Sequence, residues 1–189
     1  MTIPTPDFLK NDQLNRHERK LVKCTLAGED CDLFDEEKAE ARFAELQKAE
    51  AAKPDAERRD GTTLLNLAIR EQAGAEDAPR IRAALIRFLA RGGNAAYPVD
   101  PYGVRLTGAR IADTLTLEGC HGLRTLNLNA CDIEQTPVLR DAAGGTLNLS
   151  GTRLPGLAAD GLKTSGGVFL RHGFEAAGAV RLLGAEIGG

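Results

Sequence analysis

The feature that most restricts what this chain can fold into is a repeat in its second half. Val104-Arg105-Leu106-Thr107-Gly108-Ala109-Arg110-Ile111 returns almost unchanged as Val180-Arg181-Leu182-Leu183-Gly184-Ala185-Glu186-Ile187. Between them lie Leu126-Asn127-Leu128-Asn129-Ala130-Cys131-Asp132-Ile133 and Leu147-Asn148-Leu149-Ser150-Gly151-Thr152-Arg153-Leu154, with weaker copies at Leu115–Cys120 and Val168–Phe174. The unit reads apolar, any, Leu, any, small, small, any, apolar. Its first residue falls at 104, 115, 126, 147, 168 and 180, so the steps are 11 or 12 residues, or 21. One coil of a repetitive fold is therefore two half-units, near 21 or 22 residues. Inside a unit the large apolar residues stand five apart: Leu106/Ile111, Leu128/Ile133, Leu149/Leu154, Leu157/Leu162 and Leu182/Ile187. A helix face recurs about every 3.6 residues and a strand face every 2. A period of five is neither. It is what a chain shows when it turns a corner every five residues and sends one large and one small residue inward each time.

Composition places the boundary of this region. Residues 1–102 hold 6 of the 7 lysines and 5 of the 21 glycines, with 16 basic and 19 acidic side chains. Residues 103–189 hold the other 16 glycines, with 8 basic and 8 acidic side chains. The change falls at Tyr97-Pro98-Val99-Asp100-Pro101-Tyr102, where two prolines enforce extended backbone and block a helix. The expected organisation is a helical N-terminal region, 1–102, followed by a solenoid, 103–189.

The first region reads as helices. Leu14, Leu21, Val22 and Leu26 recur at near-helical spacing until Gly28 stops the pattern. Asp35 can cap a second helix from Glu36 to about Lys53, its first turn acidic and its end set by Pro54. Residues 54–61 read as loop, and Thr62-Thr63 precede a short buried helix through Leu64 and Ile69. The clearest helix is 79–91, where Pro79 suits a first-turn position and Ile81, Ala84, Leu85, Phe88 and Leu89 form one apolar stripe. Gly92-Gly93-Asn94 stops it.

The large slots (Leu106/Ile111, Leu128/Ile133, Leu149/Leu154, Leu182/Ile187) and the small slots (Ala109, Cys120, Cys131, Thr152, Ala185) resemble the pentapeptide-repeat family. That resemblance covers 103–189 and implies a right-handed quadrilateral β-helix. The expected fold is α+β: a helical region capping a right-handed, pentapeptide-like parallel β-helix of about four coils. A less regular right-handed β-helix is the close alternative, because extra residues interrupt the count at 140–146 and 163–167. Helix 80–89 followed by Gly103–Ile111 is also similar to long bacterial solenoid proteins often named membrane-associated oxidoreductases. No catalytic residue can be carried over from that likeness.

A stack of coils buries its leucines only where another coil covers them. The expected core ladder is Leu106, Ile111, Leu117, Leu128, Ile133, Leu149, Leu154, Leu170, Leu182 and Ile187. Helix 79–91 is expected to cover the first coil with Ile81, Leu85, Phe88 and Leu89. No cap is evident after Ile187, so the final coil either pairs with a second copy, giving a homodimer, or belongs to a longer solenoid.

Chemistry-bearing motifs are sparse. Cys24 and Cys31 are too far apart for a usual zinc pair. Cys120 and Cys131 share the small inward slot with alanines and read as core thiols. His121 follows Cys120, but strand neighbours point to opposite faces. No phosphate-cradling glycine motif and no nucleophile elbow occur. The expectation is no catalytic residue, no cofactor and no metal. The net charge of −3 and the aromatic content of 4% argue against a nucleic-acid partner. No apolar run is long enough to span a membrane, no secretory signal is seen, and four sparse cysteines fit a reducing cytoplasm. The functional expectation is a non-enzymatic protein-interaction or scaffolding solenoid with a protein partner. The alternatives are an oxidoreductase-like protein, following the family name, and a DNA mimic acting on topoisomerases.

Overall fold

A computed structural model describes residues 3–188; Met1, Thr2 and Gly189 lie outside the described residues. Helices α1 (Asp7–Lys10), α2 (Arg16–Ala27), α3 (Glu36–Ala51), α4 (Gly61–Ala73) and α5 (Ala83–Ala90) precede a parallel β-solenoid of about four turns. The fold is mixed α+β. The helix ends follow from local chemistry. Asn15 accepts from the His17 and Glu18 amides while Glu18 reaches back to the Asn15 amide, and Gly28 closes α2 in the left-handed conformation at φ 71°. Asp35 and Asp60 cap α3 and α4 through the amides of Lys38 and Thr63.

Each turn of the solenoid has four faces. The first stacks Val104–Thr107, Leu126–Asn129, Leu147–Asn148 and Val168–Phe169. The second stacks Arg110–Ile111, Asp132–Ile133, Arg153–Leu154 and Glu175–Ala176. The third runs through Thr116, Val138, Leu157–Ala158 and Val180–Arg181. The fourth runs through Leu123, Ala143–Gly144, Lys163–Thr164 and Glu186–Ile187. The near-identical segments at 104–111 and 180–187 therefore occupy opposite sides of the stack, since Val180 pairs with Leu157 rather than with Val168. The sequence unit is half a turn, and the two halves are alike.

The helical region is woven into the first end of the stack. Cys31–Asp32 adds a strand beside Leu106 and Thr107, completing a rung on the first face. On the second face the Arg110 amide donates to the Pro79 carbonyl at 2.8 Å, and the Ile81 amide donates to the Arg110 carbonyl at 3.0 Å. At the fourth face the Arg124 amide donates to the Ala90 carbonyl at 2.8 Å. Helix α5 closes the mouth between them, with Leu85, Ile86, Phe88 and Leu89 buried. One continuous core runs from Leu9 and Leu21 through α5 to Leu162.

Two sequence expectations need correction here. The helix expected over 79–91 begins only at Ala83, because Pro79–Ile81 is extended and spent on the ladder; Ile81 is buried, but from that strand-like segment rather than from the helix. The N-terminal N–H of α5 at Arg82 is met by a carboxylate from another helix, Glu18 at 3.1 Å, instead of by a local cap. The short helix expected from Leu64 to Ile69 extends through Gly61–Ala73. It is a buttress that runs along one corner of the solenoid. Ile69 lies against Gly108 in the first turn, Asn66 against Gly151 in the third, and Leu67 against Gly173 in the fourth.

Candidate functional site

The ladder is densest in the middle of the stack. Leu106, Ile111, Leu117, Leu128, Ile133, Leu149 and Leu154 are buried, and on the cap Ile81, Leu85, Phe88 and Leu89 are buried as well. Leu170 and Leu182 are half-buried. Ile187 is 51% exposed, because it points into the interior of a turn that no further rung covers among the described residues.

That last turn is the most unusual surface of the molecule. Among the described residues Val168–Phe169, Glu175–Ala176, Val180–Arg181 and Glu186–Ile187 each pair on one side only, which leaves an open backbone edge on all four faces of this rung. Val180 sits in register with Leu157, which is buried, yet Val180 is 37% exposed. Leu183, at 70% exposed, stands one rung beyond Asp160. Leu170, Phe174, Leu182 and Ala185 complete an apolar cross-section. Asp160 holds this rung to the one before it, accepting from the Leu183 amide at 3.1 Å and from Arg181 Nε at 3.0 Å. Partial burial would raise its carboxyl, and those two donors more than offset that, holding it below the usual carboxylate range.

The charged side chains of the walls answer one another between rungs. On the second face Arg110, Asp132, Arg153 and Glu175 succeed one another in register. Arg153 bonds Asp132 at 2.9 Å, and Arg70 of α4 reaches Glu175 at 2.9 Å and the Gly173 carbonyl at 2.6 Å. On the third face Arg140 bonds Glu118 at 3.0 Å. Arg153 and Asp132 stand 21 residues apart and Arg140 and Glu118 22, one coil in each case. The arginines at 105, 124, 140, 171 and 181 are distributed over three faces, and Arg105 pairs with Asp30.

All four cysteines are buried and free. Burial pushes the Cys131 thiol up to about 12, and burial together with neighbouring Cys24 pushes the Cys31 thiol up to about 12 as well. His121 is exposed beside buried Cys120, so the two side chains lie on opposite sides of the wall. His172 lies on the corner flanked by α4, with Nδ1 at 3.7 Å from Asp60. Among the described residues no three His, Cys, Asp or Glu side chains converge as a metal-holding group. No helix among them is long and apolar enough to cross a membrane.

Comparison with family models, curated proteins and solved structures finds no match to this chain.

Proposed function

We propose that the protein is a non-enzymatic interaction and scaffolding solenoid whose working surface is its last rung, and that the partner taken there is a second copy of the chain. The observation that supports this is the coincidence of four unpaired strand edges with exposed Val180, Leu183 and Ile187. Open edges beside an apolar surface pair readily with another chain. Along the second face Arg110, Asp132, Arg153 and Glu175 succeed one another with alternating sign. This favours protein contact over a DNA-like array, which needs one continuous negative stripe.

Sedimentation equilibrium over a range of concentrations tests this. The expected result is a monomer–dimer equilibrium that Leu183→Lys combined with Ile187→Lys shifts to monomer, with unchanged helix and sheet content by circular dichroism. A wild-type chain that stays monomeric at the highest concentration would contradict the reading, as would a double variant that dimerises like wild type.

A further inference from the structure

A second surface, at the opposite end of the solenoid, has a different chemistry. The arginines of the walls and of the helical region are mostly matched by carboxylates: Arg82 by Glu18, Arg105 by Asp30, Arg110 by Glu134, Arg140 by Glu118, Arg153 by Asp132 and Arg181 by Asp160. Among the described residues Arg87, Arg91 and Arg124 have no carboxylate within ion-pair distance, and they lie together. Arg87 and Arg91 stand one turn apart on α5 and its C-cap, and both line the same depression. The Arg124 amide is bonded to the Ala90 carbonyl, and its guanidinium Nε lies against Gly92, immediately after the helix.

Arg87 and Arg91 border a groove, and Arg124 lines neither of its two depressions. One depression of about 250 Å³ is lined by Ala83, Ala84, Arg87, Asp113, Thr114 and Thr116. A second, of about 140 Å³, lies between α5 and the extended segment Ile3–Pro6 and shares Ala84 and Arg87 with the first. Phe88 gives the floor an apolar patch. The Asn94 side chain fixes the Ile3–Pro6 wall, donating to the Ile3 carbonyl at 3.2 Å and to Thr5 Oγ1 at 2.7 Å. Asp113 is the one acidic side chain among the lining residues of the two depressions.

We propose that this groove binds an extended acidic segment of a partner protein, with its carboxylates on Arg87 and Arg91 and a small apolar side chain over Ala84 and Phe88. Guanidinium forks suit planar carboxylates. The groove is narrow and its cations are two, too few to hold a long polyanion such as nucleic acid or a charged membrane surface. Arginines near the C-terminal end of α5 also offset its dipole. That role needs no ligand, and it predicts a change in stability without a change in binding. The proposal is separate from the last rung: a chain that fails to dimerise can still bind here.

The test is fluorescence anisotropy with a fluorescein-labelled octapeptide that alternates glutamate with leucine or alanine. A short single-stranded DNA and phosphatidylserine vesicles serve as competing probes. The expected result is saturable peptide binding that weakens roughly tenfold in Arg87→Glu combined with Arg91→Glu. Arg80→Glu, an unpaired exposed arginine outside the groove, leaves it within about twofold. Arg87→Gln with Arg91→Gln is the milder pair should the charge reversal unfold α5, and it too must weaken binding. The Leu183→Lys variant keeps peptide binding, which separates this surface from the last rung. Absence of saturable binding by wild type, equal binding by both groove variants, or tighter arginine-dependent binding of the DNA or the vesicles would overturn the proposal.

Discussion

The two ends of the solenoid are built from the same kind of rung and finish in opposite ways. At the first end a strand from Cys31–Asp32, an extended turn at Pro79–Ile81, and helix α5 join three of the four faces to segments far apart in the chain. The backbone edges of those three faces are thereby paired and the leucines of the first turn covered. At the last described rung the edges have no further partner among the described residues, and inward residues equivalent to buried ones upstream are open to solvent there: Val180 against Leu157, Ile187 against Thr164. A repeat specifies what lies inside a rung. It does not specify how the stack ends, and here one end is closed by sequence outside the repeat.

Core truncation breaks this comparison most strongly. Leu128→Ala, in the fully covered second turn, is expected to cost roughly 3 kcal/mol, whereas Leu182→Ala in the half-covered last turn costs about 1 kcal/mol, as read by urea unfolding. Equal losses would show that the last turn is as well packed as the second.

The closed end depends on one buried ion pair. Glu18 is inaccessible to solvent and accepts from Arg82 Nε at 2.7 Å, and Arg82 also lies over the Phe8 ring. Arg82→Ala leaves that carboxylate buried without its partner and is expected to cost roughly 3 kcal/mol. Burial alone would raise the Glu18 carboxyl; the bonds from Arg82 and from the Asn15 and Arg82 amides outweigh it and hold it low. Glu50, bonded by Lys53 and Arg59, is lowered to about 2. Both groups are lowered in the folded chain, so their stabilisation is complete above an unfolded carboxylate value of about 4.3 and is lost as pH falls toward the folded values. Acid titration monitored by circular dichroism is expected to show stability falling from about pH 4 toward pH 2, and the Arg82→Ala variant losing less over that interval than wild type.

The two left-handed corners of each turn sharpen the contrast on a smaller scale. Gly151 has φ 70°, and a Cβ there would stand 2.5 Å from the Asn66 Cβ of the α4 buttress. Gly184 has φ 67°, with open space around it. Gly151→Ala is expected to cost about 2 kcal/mol and Gly184→Ala about 1 kcal/mol, the second reflecting backbone strain alone. Equal costs would mean that α4 does not press on its corner.

Much of this was legible in the chain. The five-residue spacing of Leu106/Ile111 and Leu128/Ile133 revealed the corners, because each face has room for one large inward residue. The end of the α5 pattern at Gly92 and the caps at Asp35 and Gly28 were legible for local reasons. The start of α5 was not: Pro79 followed by an apolar stripe looks like a helix start whether or not the next residues are claimed by a ladder. Cys31–Asp32 is two residues long and has no periodicity to detect. The course of α4 was hidden too. Its docking rests on Asn66 and Arg70 reaching backbone carbonyls of His172, Gly151 and Gly173, and polar contacts to a column of corners leave no repeating apolar mark. The unpaired arginines of α5 could be recognised only after the other arginines had been assigned their carboxylates.

Amide hydrogen exchange measured by mass spectrometry at low and high protein concentration tests the difference between the ends most directly. The account predicts that peptides covering Val104–Thr107 and Pro79–Ile81 exchange slowly at both concentrations. Peptides covering Val180–Gly188 are predicted to exchange fast when dilute and to gain protection when concentrated. Uniform protection of both ends irrespective of concentration, or fast exchange through the first turn, would contradict it.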